Sequence, residues 1–345
     1  GNFGNISGDG AAAMRYTEIK PSKYAPLMVD GYKKNAVDMK EAFGEDGTLE
    51  PRIWPGLFPN LFRNPNDGIA VCLASNFLPH NLNEVCDGII ASIKNPEIDT
   101  AGLMEFIKGP DYPLGGTVIN QKDLYYAYEN GRSSNTIKVR GDYEINGRTI
   151  TFTSIPYGVT TSRIEEQMGK YFEEFKNLFD DYQNETAGEL IKLIFEVSKD
   201  VDVESAVEWI FKRTDLQKGS SVIMNIVHGE GFLEEVPLRT LIRMYIELQI
   251  EVINRTTQFD IDKAEARQHI LEGLVVTLAD IDEVVRIIRG SQNNAESKQK
   301  LIERYNLSEI QVKHVLDMKL AKLHTLEIED VKKENNNLII KLEEL

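Results

Sequence analysis

Cysteine is nearly missing from this chain: Cys72 and Cys86 are the only two in 345 residues. They stand at no metal-ligand spacing, and a single disulfide between them stays open. With no basic and apolar leader at the N-terminus, they read as reduced cytosolic thiols. Long apolar runs are missing too. No stretch approaches the roughly 18 apolar residues of a spanning helix, which excludes that class of membrane protein. Histidine is scarce, and the five present show no zinc spacing. His80 and His314 suit structural roles, and His228 and His269 are no better placed as ligands. The chain also lacks a phosphate loop, a dinucleotide fingerprint, a Ser/His/Asp arrangement and any repeat with a period of about 20 to 50 residues. It does not begin with methionine, which leads us to expect a processed or excised piece of a longer chain.

What is present is enough apolar residue for real cores, 41% of the chain. At this length two or three domains are expected. The net charge is −16, which would discourage nucleic-acid binding if it were spread evenly. It is not spread evenly. Between Glu165 and Glu208 thirteen acidic residues stand against four lysines, a local −9. More than half of the excess is confined there, leaving room for a basic face elsewhere.

Residues 1 to 20 are small, glycine-rich and turn-like, and end in the pair Arg15-Tyr16. The pattern from about Lys23 to Ala42 predicts a helix starting near Pro26, because proline is tolerated in a first turn. Prolines then punctuate residues 51 to 82, where "GIAVCLA" reads as a strand in an ordered, loop-rich platform. A helix is predicted from Asn81 to Lys94. "GPDYPLGG", residues 109 to 116, is a dense turn cluster. "TIKVRGDYEI" and "RTITFTS" flank Asn146-Gly147, a strong hairpin signal. Pairing across that turn puts Tyr143 opposite Ile150 and Gly141 opposite Phe152. "ELIKLIFEVS" reads as a strand within the acidic stretch. From Pro237 the chain turns helical, with Leu241, Tyr245, Leu248, Val252 and Phe259 forming a coiled-coil-like seam. Ser308 to Gln311 reads as a capping box. Ile328, Val331, Leu338, Leu342 and Leu345 fit an a/d heptad with Asn335 at an a position, and the earlier long helix is the expected partner.

Chemistry is less legible. A phenol, with an ordinary pKa of about 10, is a weak nucleophile at neutral pH. A neighbouring guanidinium favours the phenolate and can hold a phosphate in a bidentate grip. Arg15-Tyr16 therefore fits either a surface pair or a nucleophile with its cation. Ile69 fits a core strand residue. Lys138 and Arg140 fit an exposed basic strand. The residues alone give an α+β multi-domain protein with a helical hairpin, and no function.

Several stretches together resemble one family. "GNFGNISGDGAAAMRYTE", "FPNLF…DGIAV…ASNFLPHNL", "GPDYPLGG", "IPYGV", "EARQHILEGL" and "LSEIQVKHVLDMKLAKL" match, in order, blocks of the A subunit of bacterial type IIA DNA topoisomerases, meaning DNA gyrase or topoisomerase IV. The resemblance implies three ranges: 1-50, the C-terminal part of a winged-helix domain with the active-site tyrosine; 51-235, an α/β tower domain with an antiparallel hairpin; and 236-345, a long helical coiled coil with a helical dimer gate. It implies transient double-strand cleavage and religation through a 5′-phosphotyrosyl intermediate, with Tyr16 as nucleophile and Arg15 stabilising the phosphoryl oxygens. Ile69 would wedge between base pairs, and Arg132, Lys138 and Arg140 would contact the bent backbone. Mg²⁺ and ATP would be held by a partner B subunit, which leaves no metal site in this chain. Two A and two B subunits would assemble on double-stranded DNA in the cytoplasm, the two A copies pairing through the gate. A fragment of this extent is expected to be inactive alone. The competing expectation is a non-catalytic coiled-coil dimerisation module. The chain departs from the family pattern at Ser154, where a Glu usually precedes "IPY", at "TDLQKGSS", residues 214 to 221, and through much of the acidic stretch.

Overall fold

The computed structural model describes residues 1–44, 47–64, 66–228, 232–318 and 328–345. The chain is a mixed α+β protein with several small antiparallel sheets and one helix of 42 residues, Leu238–Ala279. It divides into two compact units: Gly1–Met28 with Gly56–Gln249, and Val29–Pro55 with Ile250–Leu345. Among the described residues no helix is long and apolar enough to cross a membrane.

The first unit holds two apolar cores. One gathers Phe62, Phe77, Val85, Leu103, Leu124, Tyr128 and Ile242. Helix Leu82–Lys94 supplies part of it: the Asn81 side chain caps its start by accepting from the N–H groups of Asn83 and Glu84. Gly88 on its buried face leaves room for Ile107, which a Cβ there would approach to 2.8 Å. The second core fills a four-stranded sheet ordered Tyr143–Asn146, Thr149–Phe152, Leu193–Val197, Phe179–Asn184. Its strand Leu193–Val197 is the one predicted in "ELIKLIFEVS". The acidic stretch is thus the outer surface of a folded body. Phe179, Leu193, Phe195 and Val207 of this stretch are buried while its carboxylates face water.

The hairpin forms, two residues out of the expected register. Tyr143 lies opposite Phe152 and Ile145 opposite Ile150, with Asn146 paired to Thr149. The turn residues are therefore Gly147, at φ +63, and Arg148, rather than Asn146 and Gly147. Arg148 explains the shift, because its guanidinium donates to the carbonyls of Val197, Ser198 and Val201. Moving the loop by one residue moves the pairing by two, so each side chain keeps its face. The upstream strand also stops early. Gly141 passes so near the Ser154 carbonyl that a Cβ would lie 2.5 Å from it. Ile137–Arg140 instead joins Gln217–Ser220 and Thr117–Val118 in a separate three-stranded sheet.

The predicted helix over Lys23 to Ala42 is absent. A single turn, Ala25–Met28, is followed by a 3-10 turn, Tyr32–Lys34, and a strand, Met39–Glu41, paired with Leu49–Pro51. Gly31 and Asn35 both adopt left-handed backbone, at φ +77 and +56, which ends any helix. Arg255 fixes the new path by donating to the Asn35 carbonyl at 2.8 Å and to the Asp38 carboxylate at 2.9 Å. The seam between the long helix and helix Ile328–Glu344 is as expected: Val331 and Leu338 pack with Leu271, Leu274 and Leu278. Leu342 is half-buried, Leu345 is 43% exposed and ends the seam, and the Ile328 side chain lies outside the described residues. Helices Ile281–Arg289, Asn294–Tyr305 and Glu309–Leu316 enclose a smaller core of Val284, Leu301, Val312 and Val315. The capping box at Ser308 and Gln311 is complete, and the Gln311 amide donates to the His269 carbonyl at 2.7 Å.

Candidate nucleic-acid cleavage site

Tyr16 ends a 3-10 turn, Met14–Tyr16, and stands 70% exposed. The Arg15 guanidinium lies over its ring, 4.7 Å from the centroid. Asn and Asp side chains shape the preceding loop. Asn5 donates to the Asp9 carboxylate at 2.7 Å and accepts from the Asp9 N–H at 3.0 Å, while the Ala12 N–H donates to the Asn2 carbonyl. The loop is then fixed to the body. Ile6 packs against the second core, and its carbonyl accepts from the Thr161 N–H at 3.0 Å. The loop that leads to Arg15 and Tyr16 thus docks on helix Thr161–Lys170 through Ile6.

Ile69 sits on another projection. "GIAVCLA" is a hairpin rather than one strand, pairing Asn66–Ala70 with Leu73–Phe77 around Val71 and Cys72. Its base is well tied. Phe77 is buried, Asn76 exchanges main-chain hydrogen bonds with Ile223, and the Asn225 amide donates to the Ala74 carbonyl. Its tip is bare: Ile69 is 87% and Val71 is 91% exposed. Ile69 is therefore not the core residue its sequence context suggested. An anchored hairpin with an uncovered apolar tip is a shape suited to insertion between stacked planar groups.

The three cations differ. Arg132 pairs through Nε with the Glu235 carboxylate at 2.5 Å. Arg140 is half-buried, donates to the Gln217 side chain at 2.7 Å and covers the Phe211 ring at 4.4 Å. Lys138 is exposed, and its charge is one of the influences holding the Asp123 carboxyl below its usual range, after hydrogen bonds from Asn135 and Asn120. The structure thus brings Arg15 to Tyr16 and sets Lys138 beside Arg140 on one strand, while Ile69 and Arg132 stand on separate elements.

Residues not singled out in the sequence complete the picture. Asp142 holds the "LGG" turn, accepting from the Gly116 N–H at 2.9 Å, the Thr117 hydroxyl at 2.6 Å and the Ser154 hydroxyl at 2.9 Å. Burial opposes its ionisation, and these hydrogen bonds outweigh burial to keep its carboxyl below the ordinary range. Ser154 is thereby a buried strut. A cleft of about 280 Å³ lies at the foot of the hairpin, lined among others by Asp67, Asn76, Tyr112, Tyr157 and Lys218. The "IPYGV" and "TDLQKGSS" stretches were the available signals for it. Among the described residues no cluster of three His, Cys, Asp or Glu side chains could hold a metal ion.

An exposed tyrosine lies under its arginine on one loop, and a bare apolar hairpin tip stands on a separate element. The family model for the A subunit of DNA gyrase/topoisomerase IV matches residues 1–345, and the chain belongs to that family. The DNA gyrase A subunit of Metamycoplasma arthritidis is 41% identical over 340 residues, covering 97% of this chain and 37% of that protein. Its counterpart from Clostridium acetobutylicum is 40% identical over 350 residues, covering 100% and 42%. That of Thermotoga maritima is 36% identical over 351 residues, covering 100% and 43%. The chain spans about two fifths of the length of these relatives.

Proposed function

We propose that this chain is the breakage-reunion core of a type IIA DNA topoisomerase A subunit, with Tyr16 as the nucleophile. The observation that carries the reading is the exposed Tyr16 under the Arg15 guanidinium, in a loop tied to a folded body. The phenolic oxygen, having lost its proton, attacks a backbone phosphorus. A phosphorus–oxygen bond to the tyrosine forms as the bond to the 3′ oxygen breaks, and the leaving oxygen takes up a proton. The products are a 5′-phosphotyrosyl end and a 3′-hydroxyl. Arg15 stabilises charge on the phosphoryl oxygens, which is the principal task in phosphoryl transfer. The reverse attack reseals the strand, because the phosphodiester energy is kept in the new bond.

The ranges 1-50, 51-235 and 236-345 serve in this reading as the winged-helix part, the tower, and the coiled coil with its dimer gate. Ile69 wedges into the duplex, the cost of unstacking being offset by the contacts that a bend permits. Arg132, Lys138 and Arg140 meet the backbone, the two arginines after exchanging their present partners Glu235 and Gln217. Mg²⁺ and ATP belong to a B subunit in an assembly of two A and two B chains, acting on cytoplasmic DNA. Tyr16→Phe in the full-length protein, in complex with its B subunit, should keep duplex binding and lose the covalent adduct. An adduct that still forms would overturn the assignment.

A further inference from the structure

The cleft at the foot of the hairpin takes no part in that reaction, yet its position and chemistry give it a role. We propose that Lys218 and Tyr157 form a further contact for the DNA backbone, seating a phosphate group beside the wedge. The proposal rests on reading the Ile69 hairpin as the wedge.

Position comes first. Asp67 and Asn76 of the hairpin line the same cleft as Tyr157, Gly158, Lys218 and Ser220. A duplex strand parted by Ile69 would have its backbone running past this opening. The strand register then selects the cation. Lys218 lies opposite Val139, and Gly219 opposite Lys138. Side chains alternate across a sheet, so Lys218 shares the face of Val139, which itself lines the cleft. Lys138 and Arg140 occupy the opposite face. Lys218 is therefore the cation of this sheet that adjoins the wedge.

The groups are also prepared for an anion. Lys218 is exposed, and its Nζ donates to the Gly158 carbonyl at 3.4 Å. That contact is at the long end for a hydrogen bond, and an ammonium has three donors, so it aims the charge without consuming it. Tyr157 is 47% exposed and stacks on Tyr112, with ring centroids 6.0 Å apart and planes at 22°. Tyr112 is held neutral, burial pushing its phenol up to about 12. The stack fixes the Tyr157 ring before any ligand arrives, which lowers the ordering cost of binding. Asp67 faces them from the hairpin side and repels phosphate, pushing a backbone toward Lys218. A stacked tyrosine and a lysine lining one cleft are a sequence-independent means of holding a sugar-phosphate strand. The lysine falls within "TDLQKGSS", where the chain departs from its family pattern.

Salt dependence tests this in the full-length protein bound to its B subunit. Duplex affinity is measured across a sodium chloride series for the parent, Lys218→Gln, Lys218→Arg and Tyr157→Leu. One lost phosphate contact lowers the magnitude of the slope of log affinity against log salt by about 0.9. Lys218→Gln should show that drop with an unchanged melting temperature, Lys218→Arg should restore the slope, and Tyr157→Leu should weaken binding several-fold at constant slope. A slope unchanged in Lys218→Gln overturns the site. Ile69→Ala, followed by DNA bending, separates the two readings. Bending lost in Ile69→Ala while Lys218→Gln keeps its slope leaves the wedge standing without the phosphate contact. Bending retained in Ile69→Ala with a reduced slope in Lys218→Gln removes the wedge and leaves the contact.

Discussion

The main-chain N–H of Thr161 donates to the carbonyl oxygen of Ile6 at 3.0 Å, tying the first residue of a helix to the loop that carries Tyr16. Nearby, Gly8 adopts φ +102 and runs so close to Ser162 that a Cβ would lie 2.1 Å from its hydroxyl oxygen. Gly8→Ala should therefore dislodge the loop. We expect at least a tenfold loss of covalent adduct in the assembled enzyme, of the order produced when a reacting group is misplaced by about 1 Å. Duplex binding should survive. Adding Ser162→Gly removes the clash and leaves the backbone strain, so recovery should be partial. Wild-type adduct yield in Gly8→Ala would show that the docking does not position the tyrosine.

His80 gives the first unit an acid limit. Its Nδ1 lies 3.1 Å from the Phe62 carbonyl and its Nε2 2.6 Å from the Tyr128 hydroxyl, both partners buried with it. Nδ1–H donates to the carbonyl, and neutral Nε2 accepts from the phenol. Burial lowers its pKa from 6.5 to about 4. The folded state thus disfavours the proton. Stability is full above pH 6.5 and falls as acid protonates the unfolded chain in preference, down to about pH 4. A shift of this size corresponds to roughly 3 kcal/mol in total. Urea unfolding at pH 7 and pH 4.5 checks it: His80→Gln should be less stable at pH 7 and lose less on acidification than the parent. An equal loss in both would remove His80 as the cause.

The hairpin that carries Ile69 separates tip from base. Ile69→Ala should change unfolding free energy by no more than about 0.5 kcal/mol, because the side chain is 87% exposed. Phe77→Ala at the buried base, 4% exposed, should cost about 3–5 kcal/mol. Denaturant titrations of the two variants provide the comparison. A large stability cost at Ile69 would mean that its side chain is covered in solution.

Asn335 should trade stability for register. Its side-chain oxygen is buried with no hydrogen-bond partner among the described residues, between Val331 and Leu338 on the seam. Asn335→Leu should raise the stability of the helical pair by about 1–3 kcal/mol, the cost of an unsatisfied buried polar group. The bidentate pair of Arg267 with Glu334, at 2.9 and 3.0 Å, should then carry more of the register. Thermal unfolding of Asn335→Leu alone and with Glu334→Gln, with disulfide trapping between the helices, reads both effects. A destabilised Asn335→Leu would contradict the burial of that oxygen.

Much of the local structure was written in short signals. The helix predicted from Asn81 to Lys94 forms, Ser308 and Gln311 complete their capping box, and Val331, Leu338 and Leu342 turn inward on a heptad. Such features depend on neighbours one or two turns away, so the sequence displays them directly. The failures were at places governed by distant partners. Arg255 redirects Asn35 and Asp38 into a bent path where a helix was predicted, and Arg148 slides the hairpin turn by one residue. At the site, Arg15-Tyr16 was visible as a pair, and its docking on Thr161 was not. The cleft formed by Asp67, Tyr157 and Lys218 could not be seen either, since its walls are far apart in the chain.

By itself, then, the sequence determined the helix starts at Asn81 and Ser308, the apolar seam of the C-terminal helices, the concentration of more than half of the net negative charge in one stretch, and the ordered blocks that mark the family. Tertiary structure alone decided that Ile69 is bare rather than buried, that Arg140 is engaged with Phe211, and that Lys218 faces the hairpin while Lys138 faces away. The reason is physical: caps and heptads are settled within a few residues of chain. Exposure and facing depend on which strand pairs with which, and that choice is made by the whole packed core at once.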